Sequence, residues 1–347
     1  MVGLQAMINS NCRLSAVTGP HVALFVGATS GIGLAVLKEF ARQAGEPRIY
    51  FVARNPTAAA SIVEELRILN PRAKFEIIER NVSLIKDAEE VAEFVKAKEP
   101  SLDLLFMSVG FFSLDGRKGD LPIKTLRLHC ELYSSVALDT TEGLDASMTT
   151  RYYSRIRITQ LLLPLLNKSP SPHVMSVLAA GREGPIHEDD LALTKIKNFT
   201  VSSANSHCAT MMTLMLEGFA AENPRISFVH AFPGIVATPL FDRISSGFLG
   251  MVIRYLGAPV LRLFAKSVSD AGQWGLFTAT SARYSVDSGI VPLAGDMTKA
   301  ERSKGGIFLL NEHGETVDNE KVLEDFRKRE VNKNVWDHTI EVFAGIR

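Results

Sequence analysis

Between Val26 and Gly33 the chain reads VGATSGIG, with an apolar run before it and an amphipathic run after it. Gly27 and Gly31 can take backbone conformations closed to other residues, and Gly33 lets a helix approach a strand closely. A helix starting here turns its free N–H groups and positive end toward the loop, as a pyrophosphate requires. The candidate phosphate contacts are therefore Gly27, Thr29, Ser30, Gly31, Ile32 and Gly33. Their spacing, Gly-x-x-x-Gly-x-Gly, differs from the Gly-x-Gly-x-x-Gly of most dinucleotide folds. The next such residue is Arg54, ending the apolar run RIYFVAR. In a nucleotide-binding α/β sheet this position faces the adenosine ribose, where a carboxylate takes the 2′-OH and an arginine accommodates a 2′-phosphate. With no carboxylate nearby, Arg54 points to NADP rather than NAD. A solvated strand-end charge is the plain alternative.

These residues need strands and helices to hold them. HVALFVGA, RIYFVAR, KFEIIER, LDLLFMSVG, HVMSVLAA, ISFVHAF and GGIFLLNEHGE read as strands, the last at a sheet edge and ending in a turn. Helical periodicity lies between them: Leu34, Leu37, Phe40 and Ala41 share one face, as do Ile62, Val63, Leu66 and Leu69. KDAEEVAEFVKAK, LDASMTTRYYSRIRITQLLLPLL and NFTVSSANSHCATMMTLMLEGFA read as further helices. The alternation predicts an α/β fold, a doubly wound parallel sheet of Rossmann type with helices on both faces. It divides the chain into an N-terminal extension (1–20), one domain with insertions (21–311) and a charged C-terminal tail (312–347). Segments 112–140, 182–198 and about 240–265 follow strands and so border the ligand side of such a sheet. Within the last of these, GFLGMVIRYLGAPVLRLF (247–264) is too interrupted by Arg254, Pro259 and Arg262 to span a membrane. It reads as a lid over a hydrophobic substrate, with a helix lying on a membrane surface as the other reading.

The 347 residues carry no net charge and no Lys/Arg-rich run, which excludes nucleic acid as a partner class. Cys12, Cys130 and Cys208 are odd in number and widely spaced, which suits reduced thiols better than disulfides or a metal site. The first residues show no basic-then-apolar secretory pattern, so the expected location is cytoplasmic.

From about Val22 to Arg283 the chain resembles the short-chain dehydrogenase/reductase family. VGATSGIGLAVLKEFA is similar to its cofactor loop, TTEGLDASMTTRYYSRIRITQLLLPLL to its long fourth helix, and PGIVATPL (Pro233 to Leu240) to the segment after its sixth strand. The resemblance implies that Pro233, Val236 and Thr238 border the nicotinamide, that Asn81 and Val82 meet the adenine, and that Ser108 and Gly110 end the fourth strand beside the cofactor. It also implies a Tyr-x-x-x-Lys pair, a serine that polarises the carbonyl and an asparagine on the fourth helix. Ser176 matches the serine within a residue, whereas the asparagine position is Arg151. The tyrosine and lysine are absent: ungapped counting from Pro233 puts Ser203 and His207 there, and a short insertion puts Phe199 and Ser203. Tyr153 and Arg157 have the right spacing on the wrong helix and read as packing. An imidazole titrates near neutrality, so His207 is the candidate acid, with a buried histidine bonded to a carbonyl as the duller reading. His187 reads as a surface residue of an insertion.

The expected catalytic set is thus Ser176, Ser203 and His207, with NADP as cofactor and no metal. The function that follows is an NADP(H)-dependent oxidoreductase acting on a hydrophobic substrate, similar to proteins of fungal secondary metabolism, with a non-standard proton donor. A redox-neutral isomerase, cyclase or dehydratase on the same scaffold is the alternative. The sequence leaves the oligomeric state open.

Overall fold

The computed structural model describes residues 2–17, 19, 21–111, 140–238, 265–295 and 297–346. The lid expected at about 240–265, with its membrane-surface alternative at 247–264, lies outside these residues apart from Ala265, as do Cys130 and most of the 112–140 insertion.

Seven apolar runs form the strands β1 (Val22–Val26), β2 (Arg48–Ala53), β3 (Lys74–Glu79), β4 (Leu104–Met107), β5 (His173–Val177), β6 (Ser227–Ala231) and β7 (Phe308–Leu310). They pair in parallel in the order β3-β2-β1-β4-β5-β6-β7. β1, β4, β5 and β6 are buried along their whole length, which is why they read as unbroken hydrophobic runs and not as alternating ones. The order reverses between β1 and β4, so the crevice beyond their carboxyl ends is the topological switch point where such sheets take ligands.

One face of the sheet is covered by α1 (Leu4–Cys12), α2 (Gly31–Gln43), α3 (Pro56–Leu69) and α7 (Val268–Thr280). The N-terminal extension belongs to this layer: Met7 and Leu14 are in its core, and Asn11 donates to the Gln273 carbonyl of α7 at 2.9 Å. The other face is covered by α4 (Ile85–Lys98), α5 and α6 (Val201–Glu222). Here α5 denotes three contiguous stretches: a first turn Ala146–Met148, a π-helical turn Thr149–Tyr153, and the helix Ser154–Leu166. Single π turns inside helices are uncommon and concentrate at functional positions.

The C-terminal segment departs from the charged tail expected. It forms α8 (Glu320–Lys328) and α9 (Val331–Gly345), whose Leu323, Phe326, Val331, Val335 and Phe343 complete the core on the α5–α6 side. Charge dominates its composition, but the apolar residues recur at helical spacing and bury one stripe.

Candidate active site

The loop after β1 is shaped by what surrounds it. Gly27 has φ +88°, and a side chain there would collide with the Val109 main chain. Gly31 has φ +57° and lies against Thr238, whose Cγ2 would be 3.2 Å from an added Cβ. A Cβ on Gly33 would strike the Gly27 carbonyl and the Ser108 hydroxyl. The loop is therefore wedged between the end of β4 and the segment after β6: only glycine fits at Gly27 and Gly33, and Gly31 sits in the left-handed region close against Thr238. Ser30 is the N-cap of α2 in extended conformation, with no side-chain cap bond, and Thr29 and Ser30 are exposed. The first N–H groups of α2 thus face an open cradle, the arrangement that binds phosphate. The site fits a dinucleotide.

The other expected cofactor contacts fall around this cradle. Ser108 donates to the Gly27 carbonyl at 3.1 Å and so ties β4 to the loop. Arg54 is exposed at the end of β2, and its neighbour Asn55 caps α3 by accepting from Ala58 N at 3.0 Å. Asn81 turns its Oδ1 back to Ser83, whose hydroxyl donates to it at 2.9 Å, while the Val82 carbonyl accepts from Ser154 of α5 at 2.6 Å. Pro233 follows β6, Val236 forms a parallel bridge with Lys266, and Thr238 is nearly buried.

The expected catalytic trio does not come together around a shared point. Ser176 is fully buried in β5, between Met107 of β4 and His230 of β6, and its Oγ accepts from Arg155 Nη1 at 2.8 Å. Ser203 forms the capping box of α6 with Thr200: each side chain accepts from the other's main-chain N–H, at 3.0 and 2.9 Å. His207 is fully buried; its Nδ1 accepts from His187 N at 3.3 Å, which leaves Nε2–H to donate to the Leu191 carbonyl at 3.0 Å. Burial pushes its pKa down to about 4, so at neutral pH it is an uncharged ring with its one N–H committed. The ring is held as a histidine bonded to a carbonyl would be. Ser176 Oγ serves Arg155 as an acceptor, and the half-buried Ser203 hydroxyl donates to the Asn198 carbonyl at 2.8 Å.

What occupies the end of β4 is a pair of arginines, one of them at the position where the family resemblance implies an asparagine. Arg151, in the π turn, and Arg155, one turn on, both point inward and are almost wholly buried. They flank Gly110 (φ +153°): an added Cβ would lie 3.1 Å from Arg151 Cγ and 3.6 Å from Arg155 Nη2. Arg151 donates to Asn205 Oδ1 of α6 at 2.7 Å. Arg155 donates to the Val177 carbonyl at 2.9 Å, to Ser176, to the Thr150 carbonyl at 3.2 Å, and to the carbonyls of Met107 and Val109. All these acceptors are uncharged. Burial, with the neighbouring Arg151, pushes its pKa down to about 9, and it keeps its proton at neutral pH. The i, i+4 spacing of two arginines in an otherwise apolar helix was the signal for this pair. The third, Arg157, faces outward to Glu89 at 2.8 Å and lies over the Phe343 ring, consistent with packing.

A second buried polar group stands beside them. His230 of β6 accepts from Ala179 N at 3.1 Å, Thr213 bridges it at 2.9 Å, and Thr213 donates to Glu183 at 2.8 Å. Burial pushes His230 down to about 3 and raises Glu183 above the usual carboxylate range. Among the described residues no cluster could hold a metal ion, and no helix is long and apolar enough to cross a membrane.

A family profile described as short chain dehydrogenase matches residues 21–187. An NmrA-like family domain-containing oxidoreductase, notO, of Aspergillus sp. (strain MF297-2) is 43% identical, with 99% of this chain and 96% of that protein aligned. Oxidoreductase AN1596 of Emericella nidulans is 34% identical, with 98% of this chain and 97% of that protein aligned. Among solved structures, L-sorbose reductase from Gluconobacter frateurii, complexed with NADPH and L-sorbose, superimposes with a TM-score of 0.52. At 15% identity, covering 76% of this chain and 90% of that one, this likeness speaks for the fold alone.

Proposed function

Since this chain belongs to the short-chain dehydrogenase/reductase family of oxidoreductases, we propose that it transfers hydride between NADP(H) and a hydrophobic carbonyl or alcohol, of the kind found in secondary metabolism. The observation that carries this reading is the glycine cradle, wedged against Val109 and Thr238 with the N-terminus of α2 open above it. Gly27, Gly31 and Gly33 would hold the pyrophosphate, Arg54 the 2′-phosphate, and the Pro233–Thr238 segment the nicotinamide side. When bound, the reduced nicotinamide supplies the hydride. The chain's own contribution is to hold the reacting groups together, which is worth several orders of magnitude in rate without any acid. The guanidinium groups beside Gly110 supply positive potential where an alkoxide would develop. With Ser176, Ser203 and His207 bonded elsewhere, the proton comes from solvent or from the substrate itself.

That same engagement favours a second reading: a redox-neutral isomerase, cyclase or dehydratase in which the dinucleotide has a structural role or none. The two separate in one assay. The purified protein is given NADPH and a panel of bicyclic and long-chain ketones, and both nicotinamide absorbance and product structure are followed. Stoichiometric NADPH oxidation with alcohol formation supports the first reading. Rearranged product with NADPH unconsumed supports the second and refutes the first.

A further inference from the structure

From Leu178 to Thr200 the chain connects β5 to α6 with only a single 3-10 turn, Ile196–Asn198, of regular structure. In an open α/β sheet this connection borders the ligand crevice, so whatever holds it shapes the substrate side. A stretch without its own ladder opens easily unless other parts of the chain satisfy its backbone.

Its partners come from the far end of the sequence. Val317 lies against Gly181, where an added Cβ would be 3.0 Å from Val317 Cγ2 and where φ is +77°. Asn319 Nδ2 donates to the Glu183 carbonyl at 2.8 Å. Arg329 reaches Glu188 at 2.8 Å. Behind these contacts the segment is anchored on α6 and α5. Arg327 grips Glu217 with two bonds, at 2.6 and 3.1 Å. The Tyr152 hydroxyl meets Thr339 at 2.7 Å, and the Tyr153 hydroxyl meets His338 at 2.8 Å. The tyrosines belong to the same π turn as Arg151. The segment from Val317 onward therefore touches the β5–α6 connection, α6 and α5, through directional bonds as well as apolar burial.

We propose that the C-terminal segment 317–343 is a positioning element of the site: it clamps the β5–α6 connection through Asn319 and Arg329, and thereby sets the substrate wall independently of the cofactor half. The inference rests on the reading that the ligand occupies the carboxyl ends of the strands.

The test is hydrogen–deuterium exchange on the full chain carrying Asn319→Leu, Arg329→Glu, and the charge swap Glu188→Arg/Arg329→Glu. Both single variants are expected to speed exchange of amides 182–195, Asn319→Leu by about tenfold and Arg329→Glu, which breaks an exposed pair, by about threefold. Amides of β1 and α2, and the affinity for NADPH read by fluorescence, stay at wild-type values. The swap restores slow exchange, which simple loss of packing would not allow. Arg329 is exposed, so its variant folds even if Asn319→Leu does not. Unchanged exchange at 182–195, equal acceleration in β1 and α2, or a swap that restores nothing would each overturn the clamp. Failure of the wild type to bind NADPH removes the functional reading instead, and the exchange result still decides this one.

Discussion

Arg155→Met removes a cation that ties the ends of β4 and β5 together, and its effect can be worked from the bonds. The guanidinium is fully buried and donates to Ser176 Oγ at 2.8 Å and the Val177 carbonyl at 2.9 Å, as well as to the Val109 carbonyl. Leaving these three acceptors, two of them buried and the Val109 carbonyl half-buried, without this donor costs about 1–3 kcal/mol each. Against this, the variant no longer buries a charge, a relief on the order of several kcal/mol. Taking about 2 kcal/mol for each acceptor and about 3 kcal/mol for the relieved charge, the net is a loss of about 3 kcal/mol. With unfolding entropy near 2.1 cal/mol/K per residue, a chain of 347 residues loses roughly 1.4 °C per kcal/mol, so Tm drops by roughly 4 °C. Because the Val109 main chain backs Gly27, NADPH binding weakens too, by about tenfold. Arg155→Lys keeps the charge but not the planar fork, and falls between the two. Differential scanning fluorimetry and NADPH titration read both effects. An Arg155→Met protein that melts within about 1 °C of wild type would refute the reasoning. The strand ends would then need no tie.

Gly33→Val drives a side chain into the Gly27 carbonyl and the Ser108 hydroxyl; NADPH binding should become undetectable by fluorescence while circular dichroism still reports a folded chain. Arg54→Ala should cost about 1.5–3 kcal/mol of NADPH affinity, the range for a hydrogen bond to a charged group, and leave NADH unaffected in the same titration. Burial holds His173 and His207 at about 4 and His230 at about 3. The unfolded chain therefore takes up protons near pH ~6.5 that the folded chain refuses. Stability is full above that pH and falls as pH drops toward 4, by roughly 2 kcal/mol per histidine at pH 5. Thermal melts from pH 7.5 to pH 5 check this, and His207→Gln should flatten the slope.

The strands and the cofactor cradle were legible because each is a local signal. An unbroken run such as VALFV records a strand buried on both faces, and VGATSGIG records backbone conformations that glycine alone adopts. The reaction centre was not local. Whether His207 donates a proton depends on Leu191 and His187, which reach it from a connection of irregular structure. Arg155 carries the same charge on a surface helix as beneath a sheet, and only the packing of α5 against β4 and β5 distinguishes the two. The C-terminal helices were hidden for another reason: Glu, Lys and Arg outnumber the apolar residues in EKVLEDFRK, yet Leu323 and Phe326, one turn apart, are the ones that enter the core.

Calorimetric titration of the wild-type protein with NADPH and with NADH tests the central claim most directly. The cradle and Arg54 together call for saturable one-to-one binding of NADPH, with NADH at least about tenfold weaker. Absence of binding heat for either dinucleotide, at concentrations up to the order of 1 mM, would contradict the account.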